Sequence, residues 1–324
     1  MIISRTPLRV SFAGGGSDLK AYYKHKPGAV TSTSINKYVY ITVNKRFDNQ
    51  IRVGYSRTEI VESVKDIQHD LVREALKIVQ VDGGIEITSI ADIPSRGTGL
   101  GSSSSFTVGL LNALHAYNGE FSPAKALAEE ACEIEINKVG EPIGKQDQYI
   151  AAYGGISHIQ FNPDESVYID PVICPNGFKE ELQQNLMLYY TGVTRRSNSI
   201  LTEQRQKTNA NLHVLDEMAE LSRKLRDSLS AGDLTEFGEL LHNGWMLKKK
   251  LASNISNQDI DRIYTKARKA GAVGGKILGA GGGGFLLVYC EQKKQARVRE
   301  ALNDLRYTPF AFEPQGSKII YVGD

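Results

Sequence analysis

The residues with most chemical potential lie in the run Pro94-Ser-Arg-Gly-Thr-Gly-Leu-Gly-Ser-Ser-Ser-Ser105, between a strand-like segment and an apolar helical pattern. Glycines there let backbone N–H groups approach an oxyanion closely. A helix opening at the serines would aim its unpaired N–H groups and positive dipole end at the same point. The run therefore reads as an anion site that a triphosphate would fit. The Walker pattern G-x-x-x-x-G-K-[ST] does not account for it, because no lysine follows the glycines. A glycine-serine turn with a serine N-cap is the bland alternative.

Glycine is enriched, at 31 residues where an average usage near 7% gives roughly 23. Much of the excess falls at Gly14 to Gly16, at Gly97, Gly99 and Gly101, and between Gly271 and Gly284, loops that suggest one shared ligand. Within the last cluster Gly279, Gly281 and Gly284 satisfy G-x-G-x-x-G. A dinucleotide fingerprint opens a helix, however, and here the strand-like Phe285-Leu-Leu-Val-Tyr289 follows directly, so that reading is rejected. A purely structural hairpin remains the alternative. Glu133, Glu135 and Asp147 form the remaining group; on composition alone such acids are usually solvated.

These residues must be carried by regular elements. Leu8 to Phe12, Tyr38 to Asn44, Ile51 to Tyr55 and Gly84 to Ile90 read as strands. Ile67, Leu71, Ala75 and Ile78 have helical spacing after a cap at Asp66, and Phe106, Leu110, Leu111 and Leu114 continue a helix behind the serines. Ser122 as N-cap with Pro123 at the first helical position opens a third helix that stops near Gly140 and holds Glu135 in its last turns. Strands return at Ile156 to Phe161 and Val167 to Val172. Pro171, Pro175 and Gly177 then mark the boundary.

After the strand Leu186 to Thr191, residues 198–271 are mostly helical, and Phe285 to Cys290 and Lys318 to Val322 flank a further helix. At 324 residues the chain is long enough for two domains, expected at residues 1–180 and 181–324, the second α+β. No internal repeat or low-complexity tract appears.

Composition narrows the partners. The formal charge, 39 − 37 = +2, gives too weak a field to argue for nucleic acid. Cys132, Cys174 and Cys290 lie far apart without CxxC spacing, which fits a reducing cytoplasm better than a disulfide framework or a zinc site. No stretch reaches the ~18 apolar residues of a membrane span.

The Pro94 to Ser105 run resembles the second motif of the GHMP kinase family. Arg9-Val-Ser-Phe-Ala-Gly-Gly-Gly-Ser-Asp18 is similar to the family's first motif, and Lys276-Ile-Leu-Gly-Ala-Gly-Gly-Gly-Gly-Phe285 to its third, in the family's order. The resemblance implies an α+β fold of two domains, the N-terminal one mixed β/α and the C-terminal one ferredoxin-like, with the active site in the cleft between them. It implies ATP and Mg2+. Gly97, Gly99, Leu100, Gly101, Ser102, Ser103 and Ser104 would bind the phosphates, and Gly281 and Gly282 would close over them.

The family pattern of a glutamate about a dozen residues before an aspartate, followed by a strand and Gly-Gly, matches Glu135 and Asp147. Glu135 would then bind magnesium with Ser103, Ser102 or Ser104 being alternatives for the hydroxyl and Glu133 a less favoured carboxylate. Asp147 would be the catalytic base, and Arg9 would face base and phosphate. Asp18, with Gly16 and Ser17, matches positions that bind sugar hydroxyls, while Asp18 also suits an N-cap for a helix starting near Leu19.

The opening of the chain and Gly144-Lys-Gln-Asp-Gln148 look most like the branch of the family that phosphorylates O1 of a heptose 7-phosphate. Lys37, Arg195 and Arg196 are candidates for the substrate phosphate. Partners are expected to be the sugar phosphate and ATP, with no nucleic acid and no membrane, in a monomer or homodimer. Tyr38 and Tyr40 are expected to pack in the sheet rather than stack on adenine.

Overall fold

Alternation along the first strand sets the layout. In β1 (Ile2–Ala13) Leu8, Val10 and Phe12 enter the hydrophobic core, so Arg9 and Ser11 must face the other way. The computed structural model describes residues 1–94, 97–193 and 197–323. In the first sheet β2 (Gly28–Lys45), β3 (Ile51–Gly54), β4 (Thr58–Val61), β5 (Ile85–Ala91), β6 (Ile156–Phe161) and β7 (Val167–Pro171) join β1. The long β2 serves three neighbours: it pairs antiparallel with β1, with β5 through residues 39–45 and with β6 through residues 28–33.

The second sheet is antiparallel, in the order β11 (Arg306–Tyr307), β8 (Leu186–Tyr190), β10 (Phe285–Tyr289), β9 (Gly274–Ile277). The last strand, β12 (Lys318–Val322), departs from expectation: it pairs with β1 rather than joining the second sheet. Its short alternating segment completes the first sheet beside Ile2 to Arg5, so the chain's end returns to the unit in which it began.

The helices are α1 (Lys20–Tyr23), α2 (Asp70–Ile78), α3 (Ser102–Tyr117), α4 (Ala124–Cys132), α5 (Gln146–Tyr153), α6 (Phe178–Asn185), α7 (Ser197–Gln206), α8 (Leu212–Ala231), α9 (Leu234–Lys248), α10 (Gln258–Ala270) and α11 (Gln292–Ala301). Helix α3 is buried along most of its length and packs on β1 and β2. The α8–α9 pair joins the sheets: α8 packs on β1 and β2, and α9 on β9 and β1. Phe12 and Phe237 meet edge to face at 5.2 Å across that junction.

Several caps differ from the sequence reading. His69, not Asp66, precedes α2, because residues 64–66 form a separate 3₁₀ turn. Pro123 is itself the N-cap of α4, one position earlier in the helix frame than expected. A π-helical turn, Glu133–Lys138, then prolongs α4. Tyr38 and Tyr40 do pack in the sheet, with Arg5 4.4 Å above the Tyr38 ring and the Tyr38 hydroxyl donating to Glu313. The three cysteines are free, and among the described residues no helix is long and apolar enough to cross a membrane.

His158 on β6 is 2% exposed, its Nδ1 2.9 Å from the Thr31 hydroxyl, which also donates to Ser222 O on α8. Burial, reinforced by Arg226 and Arg223, pushes the imidazole down from 6.5 to about 4. A depressed histidine leaves its folded state less protonated than the unfolded chain, so its contribution is intact above about pH 6.5 and is lost as pH falls toward 4. We expect His158→Gln to flatten the acid branch of stability between those values, removing up to about 3 kcal/mol of pH dependence in urea titrations. An unchanged acid branch would refute this assignment.

Candidate active site

The centre of the site is an ion pair between distant segments. Arg9 donates from Nε to Asp147 Oδ1 at 2.7 Å and from Nη2 to Oδ2 at 2.6 Å, while Nη1 donates to Gly99 O at 2.5 Å. The Arg9 backbone N–H adds a bond to Leu100 O at 3.0 Å. One strand thus grips both the carboxylate of Asp147 and the glycine loop. Asp147 lies in the first turn of α5, where a carboxylate is favoured by the helix dipole. The expected strand after Asp147 is this helix; Gly154 and Gly155 end it before β6 begins.

The serine run behaves as a helix start. Gly101 is the left-handed N-cap of α3, and no side chain caps the helix, so the N–H groups of its first turn point outward for an anion. Glu135 is fully buried and receives Ser103 Oγ and Ser104 Oγ at 2.7 Å each and Gln148 Nε2 at 2.6 Å. Burial raises its pKa, opposed by those three donors.

Ser103 is exposed and Ser104 buried, so only the former both touches Glu135 and faces the open side of the loop. The Ser102 hydroxyl instead approaches Thr98 at 3.4 Å. Glu133 turns away, beside Asn137 and Lys138; two residues from Glu135 in the same π-helical segment, it lies on the opposite face.

The donor set fits a hard divalent cation. Oxygens alone are offered, by Ser103 and Glu135, and Gln148 Oε1 next to them is buried without a partner. Among the described residues no group of three or more His, Cys, Asp or Glu side chains is placed to hold a metal. A cation here would draw the rest of its shell from phosphate and water.

Beside Asp147 a cavity opens, lined among others by Arg9, Ser11, Gly16, Asp18, Gln146 and Lys248. Asp18 is not a helix cap: its Oδ1 accepts the Gly16 N–H at 2.8 Å and its Oδ2 the Gln146 N–H at 3.3 Å, bracing the first glycine turn against the turn that leads into α5. Burial, partly offset by those bonds, raises its pKa.

Ser17 is absent from the cavity wall, and its hydroxyl is occupied by Gly14 O, Ala29 O and the Ala29 N–H. It closes a turn, its hydroxyl bonded to backbone rather than turned to the cavity. Lys37 lies in the bulge where β2 slips against β1 and likewise does not line the cavity. Arg195 and Arg196 lie outside the described residues.

The third glycine loop joins β9 to β10 and leans on the second. A Cβ on Gly99 would sit 2.4 Å from Leu278 O, and Phe285 donates its N–H to Thr98 O at 3.2 Å. Gly279 and Ala280 reach the cavity. Gly282 does not offer its N–H to a phosphate, because Ile255 O accepts it at 2.9 Å; with Gly283 it lines a separate cavity beside α10. A Gly281 Cβ would meet that same Ile255 carbonyl at 2.7 Å.

Two residues here escaped the sequence reading. Lys248 and Lys276 are buried in the cavity wall, Lys248 Nζ donating to Ile277 O at 3.4 Å and to Gly279 O, Lys276 Nζ to Phe12 O at 3.0 Å. Lys276 opens the third glycine motif, but only folding turns its stem inward. Lys248 ends a helix far from any motif.

The fold and this site define a two-domain phosphotransferase. The descriptions of the GHMP kinase N-terminal and C-terminal domains match residues 62–155 and 225–307. The chain is 30% identical to the D-glycero-alpha-D-manno-heptose 7-phosphate kinase of Campylobacter jejuni, over 98% of each protein. A galactokinase of Pyrococcus furiosus is 26% identical over 93% of this chain and 92% of its own. Among solved structures, a D-glycero-D-manno-heptose 1-phosphate kinase of Bacteroides thetaiotaomicron superposes with a TM-score of 0.82 at 26% identity, over 100% of both chains. The chain belongs to the GHMP kinase family. It is an ATP-dependent sugar kinase that transfers phosphate to an alcohol group.

Gly99 has φ +77°, and the space for a side chain is already filled by the neighbouring loop. Gly99→Ala should therefore cost about 1–3 kcal/mol in thermal unfolding and weaken ATP binding in fluorescence titrations, since the two loops must part. Wild-type stability with wild-type ATP affinity would show that the loops do not need this contact.

Proposed function

We propose that the chain phosphorylates the anomeric O1 of D-glycero-D-manno-heptose 7-phosphate, giving the 1,7-bisphosphate for GDP-heptose synthesis and surface polysaccharide. The observation that carries this reading is the Arg9–Asp147 pair, which sits where the glycine loop meets the polar cavity. The Campylobacter relative supplies the acceptor. The name of the Bacteroides structure places the acceptor's phosphate on carbon 1 instead, so the position gained is the point to measure.

In this reading the first turn of α3 and the Gly99 to Ser103 backbone hold the ATP phosphates with dipoles that need no reorientation. The sugar lies in the cavity, its hydroxyls against Asp18 and the Gly16 turn. Asp147 accepts the O1 proton as that oxygen attacks the γ-phosphorus in line, and ADP leaves. Arg9 fixes the rotamer of the base through two bonds and offsets charge on the phosphoryl oxygens. Ser103 and Glu135 would hold magnesium, which would neutralise phosphate charge when bound with the nucleotide.

The galactokinase relative favours a second reading, an anomeric kinase of an unphosphorylated sugar. Phosphorus NMR after incubation with ATP, magnesium and heptose 7-phosphate separates the two: an anomeric phosphate doublet beside the retained 7-phosphate is expected, and its absence, with turnover of a free hexose, would favour the second. Asp147→Asn should cut transfer about 10²–10⁴-fold with ATP affinity within about twofold of wild type. A fully active variant would remove Asp147 as the base and move that role to another group in the cavity.

A further inference from the structure

The cavity beside Asp147 holds more positive charge than the proposed chemistry uses. Lys248 and Lys276 come from α9 and β9, are 6% and 4% exposed, and among the described residues neither is paired with a carboxylate. Their ammonium groups meet backbone carbonyls alone: Ile277 O and Gly279 O for Lys248, Phe12 O for Lys276. Ser11, 4% exposed, lines the same cavity, and its buried Oγ has no hydrogen-bond partner. Buried ammonium groups are costly without a counter-charge, and a buried hydroxyl without a partner is costly too. Three such groups on one cavity wall need the same thing, an anion with several acceptor oxygens.

We propose that Lys248, Lys276 and Ser11 form a seat for a phosphoryl group in the acceptor cavity. The inference rests on the kinase reading for its occupant, which is either the phosphate already carried by the sugar or the group in flight from ATP. Burial, with Arg9 adding to it, draws Lys248 down to about 7, and burial with Lys248 lowers Lys276 well below its ordinary value. An anion between them would reverse both tendencies. Lys276 also spans the cleft, from the second sheet to the end of β1, so an occupied seat would draw the two sheets' loops onto the substrate.

Calorimetric titration of inorganic phosphate into the ADP-saturated protein tests the seat with the nucleotide loop already filled. Phosphate should bind wild type and bind Lys248→Met and Lys276→Met about tenfold more weakly. Equal affinity in all three proteins would overturn the proposal, as would variants altered only in melting temperature. Should neither lysine variant fold, Ser11→Ala removes a single oxygen from an unstrained strand and carries the same test, with an affinity loss of about threefold expected and none overturning it.

Kinetics with a sugar 7-phosphate and its unphosphorylated analogue then identify the occupant. A KM raised only for the phosphorylated sugar means the acceptor's own phosphate, whereas a lower kcat for both means the transferred group. Weakened phosphate binding by the variants of a protein that phosphorylates no heptose 7-phosphate would keep the seat and discard the proposed acceptor. Turnover with unaltered phosphate binding would do the reverse.

Discussion

A buried arginine that touches both the base and the phosphate loop is the constraint on which this architecture turns. The Arg9 side chain is 4% exposed and that of Asp147 22%, so the pair forms in a poorly solvated place where an unpaired charge would be strongly unfavourable. A buried ion pair is weak evidence for stability as such. Here it fixes register instead: β1, the loop before α3 and the first turn of α5 can meet only if these charges meet. The alternation of β1 follows, since Leu8, Val10 and Phe12 must face the core for Arg9 and Ser11 to face the cleft.

Around that pair the site is built from groups held away from their ordinary ionisation. Burial raises Asp18 and Glu135 and lowers Lys248 and Lys276, so carboxylates and ammonium groups alike stand in surroundings that disfavour their charge. Such a pocket is closest to electrical balance when ligands complete it: a cation beside Glu135, phosphates at α3, and an anion near the lysines. Clustering of perturbed groups of this kind is characteristic of sites that do chemistry.

Much of this was legible in the sequence, for reasons that differ by residue. The glycine loops were readable because only glycine tolerates positive φ where another backbone presses close, as Gly99 does against Leu278. Glu135 and Asp147 are marked by their family spacing, whereas the π-helical segment that carries Glu133 and Glu135 on opposite faces has no local sequence signal. The family pattern implies a strand after Asp147, and Tyr149, Ile150 and Tyr153, which suit either state, lie instead in a helix. Lys248 and Lys276 stayed hidden because a lysine's burial depends on its tertiary surroundings, and β12 was misplaced because strand pairing across more than 300 residues leaves no local trace.

The account's central claim is that Arg9 and Asp147 act as one unit in transfer, and a double-mutant cycle on the single-turnover rate examines it most directly. With Arg9→Met, Asp147→Asn and the combined variant, the account predicts a combined loss well short of the product of the single losses, since much of the arginine's effect passes through the base it holds, beside its charge on the phosphoryl oxygens. Losses that multiply across the two sites would contradict it and show that each residue meets the reactants independently.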